Sequence, residues 1–76
     1  MTIARGEYAV VFGKHLRELR TDRGLTQGQL AERCGTSVPA ISNLEAGNNS
    51  PTLGTLVRLA DALECKVSDL VKVLNR

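Results

Sequence analysis

Residues 27–44 read QGQLAERCGTSVPAISNL. Two segments of about eight residues flank the three-residue turn Gly35-Thr36-Ser37, and each carries its own helix start signal. Thr26 is an N-cap for the first, with Gln29 three residues on to complete a capping box. Leu30, Ala31 and Cys34 supply its apolar face. Gly35 ends it, since glycine accepts the left-handed conformation that residues with a Cβ resist. Ser37 caps the second segment, residues 38–46. Pro39 falls in its first turn, where a missing N–H does no harm. Ile41 and Leu44 face inward. Ala31 and Ile41 suit a close helix crossing. The spacing predicts a helix-turn-helix over about residues 27–46, whose second helix projects from the surface and is narrow enough for a DNA major groove.

The flanking sequence predicts three more helices. Tyr8, Phe12, Leu16 and Leu19 form one apolar stripe on a helix over residues 7–23, stopped by Gly24. Gly47 ends the third helix, and Asn48-Asn49-Ser50-Pro51 reads as a turn-rich loop. Thr52 starts a fourth helix with Leu53, Leu56, Val57, Ala60 and Leu63 on one face. A fifth, over residues 67–74, carries Val67, Leu70, Val71, Val73 and Leu74. No strand is expected, so the fold class is all-α, a single domain of five helices over residues 1–76.

Composition narrows the function. A chain of 76 residues fills one small core and leaves no room for a two-domain enzyme. Aromatics are 3% and Trp is absent, so the core is aliphatic, which favours packed helices over a β-sandwich. The formal net charge of +2 permits a nucleic-acid partner without demanding one. Cys34 and Cys65 lack CxxC spacing, and His15 is the single histidine. No zinc site can be composed from them, and no metal or other cofactor is expected. No nucleophile–base set or paired-carboxylate site is legible, so an enzyme is not expected. The longest apolar run, Ala9 to Phe12, is far too short for a membrane span. Residues 1–6 show no signal-peptide pattern, which makes the cytoplasm the default.

With these motifs in place, residues 25–64, LTQGQLAERCGTSVPAISNLEAGNNSPTLGTLVRLADALE, resemble the lambda-repressor/Cro-like helix-turn-helix family, also called the xenobiotic-response-element family. The segment FGKHLRELRTDRG extends the resemblance over nearly the whole chain. The resemblance rests on LTQ..LA, IS..E.G and P....L..LA.AL occurring together at the family's spacing. The resemblance implies a bacterial or phage transcriptional regulator that binds double-stranded operator DNA as a homodimer. Restriction-modification controllers, Cro-like regulators and small stand-alone repressors fit this length. It further implies that Gln27 contacts a phosphate or base edge. Ser37, Val38, Pro39, Ser42 and Asn43 lie on the exposed face of the recognition helix, and Asn48 and Asn49 donate to phosphates. Arg20 and Glu45 match the family's structural ion pair.

The sequence departs from many relatives at Val38 and Pro39, which can touch a thymine methyl but make no bidentate hydrogen bonds. Arg33 against Glu32 and Glu45 also leaves residues 26–50 at net −1. The cations lie elsewhere, many of them in the first helix: Lys14, Arg17, Arg20 and Arg23. Arg17 and Arg23 read equally as phosphate contacts or as solvated charges. His15 reads as a half-exposed helix residue, and both cysteines as buried. Five apolar residues within the last helix exceed what one buried face needs. Val67 and Leu70 can pack inward, and Leu70, Val71, Val73 and Leu74 are the expected dimer interface, with Tyr8, Val10 and Val11 as the alternative. A partner protein is a further means of control. The competing function is an antitoxin-type module that binds and neutralises a partner toxin.

Overall fold

The computed structural model describes residues 7–75; the leader-free reading of residues 1–6 lies outside them. Five α-helices follow one another: α1 (Tyr8–Asp22), α2 (Gln27–Cys34), α3 (Val38–Glu45), α4 (Leu53–Ala62) and α5 (Val67–Val71). A 3₁₀ turn, Lys72–Leu74, closes the order. No strand occurs among the described residues.

The starts obey the capping chemistry. Thr26, Ser37 and Thr52 each hold an extended backbone and accept a hydrogen bond from the amide three residues on. Gln29 returns the favour at Thr26, its Oε1 accepting from the Thr26 N–H at 2.8 Å. Gly24 and Gly35 take φ of +69° and +68°, which turns the chain out of α1 and α2.

The core is aliphatic with one aromatic, Phe12. Leu16, Leu30, Ile41, Leu59, Leu63 and Leu70 have essentially no exposed surface. Dry side chains of this size each contribute about 1.5–3 kcal/mol of burial. α1 packs on α3, and α2 packs on both α3 and α4. Gly13 makes the α1–α3 approach possible: a Cβ there would stand 2.2 Å from the Leu44 carbonyl oxygen and 2.7 Å from that of Glu45.

Five expectations are corrected. α5 stops at Val71 and tightens into the 3₁₀ turn, which packs back on α1. On α4, Leu53 and Val57 are 82% and 52% exposed. Packing against α2 and α5 uses the arc with Leu56, Leu59 and Ala60; Val57 falls past its edge and Leu53 beyond its end. Val67 is exposed rather than inward, and Cys65 is half-buried. Leu70, expected at a dimer interface, is fully enclosed by its own chain and has no surface left for a partner.

Candidate nucleic-acid interface

The site begins with the placement of α3. Arg20 on α1 reaches Glu45 at the end of α3, its Nε donating to Oε2 at 2.6 Å and its Nη2 to Oε1 at 3.1 Å. Its Nη1 donates to the Leu25 carbonyl at 2.8 Å. The two side chains are only 11% and 4% exposed. Gln27 joins them, its Nε2 donating to Glu45 Oε1 at 3.0 Å. A single carboxylate therefore ties α1, α2 and α3 together, and both of its oxygens are satisfied. Such a closed, charge-assisted network fixes orientation. The involvement of Gln27 had no local signal, because it lies 18 residues from Glu45.

The outer face of α3 and the loop after it hold the other sequence-derived candidates. Ser37, Val38 and Pro39 are exposed at its start, and Ser42 and Asn43 are half-buried along it. Ser37 Oγ accepts from the Ala40 N–H at 3.2 Å. Ser37 thus takes the Ala40 amide and Pro39 has no N–H, so what α3 presents at its exposed start is chiefly the positive end of its dipole. Beside Val38, Gly28 is not crowded: a Cβ there would make only ordinary contacts with Thr26 Oγ1 and Val38 Cγ2, at 3.8 and 3.9 Å.

Asn48 and Asn49 are exposed in the following loop. Asn48 Nδ2 donates to Asn43 Oδ1 at 3.3 Å. The expected base reader and the expected phosphate contact are therefore coupled. With Oδ1 taken, Asn43 has its amide N–H donors left for an incoming acceptor. The loop turns at Gly47, where φ is +79° and a Cβ would stand 2.8 Å from the Cα of Val10.

Other polar side chains brace the frame. His15 bonds through Nε2 to the Asp69 carbonyl at 2.7 Å; a carbonyl only accepts, so this nitrogen carries the proton. Arg23 Nε donates to the Leu63 carbonyl, and Arg33 Nη1 to the Ala62 carbonyl at 3.3 Å. Two cations thus sit at the negative end of α4, where the helix dipole favours them. Arg23 is engaged with backbone there. Burial pushes the Cys34 thiol above its ordinary value, which keeps it protonated and unreactive. Among the described residues, no group of His, Cys, Asp and Glu could hold a metal ion. No helix there is long and apolar enough to cross a membrane.

This arrangement of helices is one that other chains share. Residues 16–70 match the HTH_3 helix-turn-helix family, and the chain belongs to it. The chain is 42% identical over 59 residues to the HTH-type transcriptional regulator DdrOP3 of Deinococcus deserti, covering 78% of this chain and 46% of that one. It is 41% identical to the HTH-type regulator y4dJ of Sinorhizobium fredii, covering 78% and 77%. Among solved structures it resembles the restriction-modification controller protein C.AhdI of Aeromonas hydrophila. That match has a TM-score of 0.80 and 37% identity, covering 82% of this chain and 94% of that one. The clp gene regulator ClgR of Corynebacterium glutamicum matches with a TM-score of 0.82 and 30% identity, covering 88% and 87%. The chain therefore spans less than half of DdrOP3 and most of C.AhdI.

Proposed function

We propose that this chain is a DNA-binding transcriptional regulator that acts as a dimer on an inverted-repeat operator, with α3 in the major groove. The observation that carries the reading is the presentation of α3. Its inner side is fixed by Ile41, Leu44 and the Arg20–Glu45–Gln27 network, while Ser37, Val38 and Pro39 stand exposed at its N-terminal end. Val38 next to Gly28 offers an apolar seat for a thymine methyl. Asn43 donates to a base acceptor, and Gln27, Asn48 and Asn49 hold the backbone. The named relatives are transcriptional regulators, which supports the same reading.

Selection of genomic fragments with the purified protein tests it. The expected product is an inverted repeat with half-site centres about one helical turn, roughly 34 Å, apart. Asn43→Ala should relax preference at one position per half-site and cost about 1–3 kcal/mol there. Asn49→Ala should weaken binding to all duplexes alike. Asn48→Ala should do both, since it also frees Asn43. No enriched palindrome, together with gel shifts that show no preference over random duplex, sinks the regulator reading. Stable co-purification of a second small protein would then favour the antitoxin alternative.

A further inference from the structure

We infer that the first turn of α3 reads the 5-methyl group of a pyrimidine and not the base that carries it, so that 5-methylcytosine serves in the operator where thymine does. The inference rests on the placement of α3 in the major groove proposed above and names the chemistry read at its tip.

Val38 is 45% exposed, and it is the one large hydrophobic side chain left uncovered on α2 or α3. Gly28 has no side chain, and even a Cβ there would stand 3.9 Å from Val38 Cγ2, so position 28 adds no cover to that methyl. Pro39 stands exposed beside it. The start of α3 therefore offers carbon where a reading helix needs a partner on the base edge. The major groove displays one apolar group to match it, the methyl at C5 of a pyrimidine.

The hydrogen-bonding groups around the pair are largely spent. Pro39 has no N–H. Ser37 Oγ takes the Ala40 N–H and the Ser37 carbonyl takes the Ile41 N–H, both at 3.2 Å. A purine beneath Val38 would have its N7 stripped of water without a partner, which is costly. An unmethylated cytosine or a uracil would leave the valine without its contact. Thymine and 5-methylcytosine carry the methyl in the same place. They differ at C4, where thymine has an acceptor and cytosine an amino donor. The side chains of Val38 and Pro39 neither donate nor accept, so they have nothing with which to tell the two apart. Methylation of a cytosine at this position would thus complete a half-site.

Gel shifts at one salt concentration, on duplexes built from the operator that fragment selection returns, test the inference. Each thymine is replaced in turn by uracil, which removes the methyl and keeps the pairing. Burying one methyl is worth about fourfold in affinity, so uracil at the sensitive position should weaken binding about fourfold per half-site. A cytosine·guanine pair placed there should bind weakly, and 5-methylcytosine·guanine should recover about fourfold per half-site over it. Val38→Ser, at an exposed position and with the fold checked by circular dichroism, should reduce both differences to less than about twofold, since most of the apolar contact is gone. Asn43→Ala, a turn further along α3, should leave both in place. A selected operator in which no thymine responds to uracil overturns the inference and leaves the regulator reading standing. So does 5-methylcytosine that binds no better than cytosine, which would put a hydrogen bond at C4 in charge. Differences that survive in full in Val38→Ser overturn it by placing the methyl against another residue. A selection that yields no preferred sequence removes the regulator reading itself, and the inference with it.

Discussion

A methyl group at position 13 would have nowhere to go. The atoms it would strike are the backbone carbonyls of Leu44 and Glu45, which cannot rotate away as a side chain would. Gly13→Ala gains about 1 kcal/mol of helix propensity. Overpacking costs typically about 1–3 kcal/mol and more where backbone must shift, so the net effect is destabilising by about 1–3 kcal/mol. Urea unfolding measures it, and an alanine variant as stable as the parent would separate α1 from α3. Arg20 is the second residue on which α3 depends. As an edge pair it would be worth little, but its burial and its three acceptor contacts at Glu45 and Leu25 raise the stake. Arg20→Ala leaves the Glu45 carboxylate with Gln27 alone and should cost about 3 kcal/mol, toward the range for a broken buried pair. A double-mutant cycle with Glu45→Ala that shows no coupling energy would take the pair out of the account.

Four helices end on one device. After α1, α2, α3 and α4 a left-handed residue follows: Gly24, Gly35, Gly47 and Glu64. In each case the next N–H bonds back to a carbonyl five residues earlier, as in Leu25 to Arg20, Thr36 to Ala31, Asn48 to Asn43 and Cys65 to Ala60. The first three ends were legible because glycine advertises the conformation. The fourth was not, because glutamate holds φ of +54° against its preference. A side chain there costs about 1–2 kcal/mol, and glycine returns about 0.4–1 through the freer unfolded chain. Glu64→Gly should therefore stabilise the fold by about 0.5–1 kcal/mol. In a domain of this size that is a rise in Tm of several degrees, about 4–8 °C per kcal/mol. A fall in Tm would show that Glu64 makes an uncounted contribution. The same contrast runs through the rest. Caps at Thr26, Ser37 and Thr52 act within three residues, so sequence shows them. The bonds from His15 to Asp69 and from Arg23 to Leu63 span 54 and 40 residues, and no local spacing announces them. Leu53 and Val57 fit the apolar period of α4, yet which arc is covered depends on where α2 and α5 lie.

Across the molecule, the charge distribution sets how DNA would be held. The helix-turn-helix region carries few free charges. Glu45 is consumed by Arg20, and Arg33 is turned toward the end of α4. Glu32 remains exposed on α2. The groups facing outward around α3 are neutral: Ser37, Ser42, Asn43, Asn48 and Asn49. Phosphates would then be met by amide donors and by the N-terminal ends of α2 and α3, while Lys14 and Arg17 stand exposed on α1. Neutral donors release few counterions. The logarithm of affinity falls by about 0.9 per phosphate neutralised for each unit of log salt, so a dimer using at most two cations per half-site should show a slope of about −4 or shallower. Titration of the selected operator from low to moderate salt gives the number directly. A slope near −8, typical of binders that neutralise many phosphates, would mean that lysines and arginines of α1 and the chain's end reach the backbone. Lys14→Gln and Arg17→Gln, each lost twice per dimer, would then each flatten the slope by about two, whereas on the present reading of α3 the asparagine substitutions lower affinity and leave the slope unchanged.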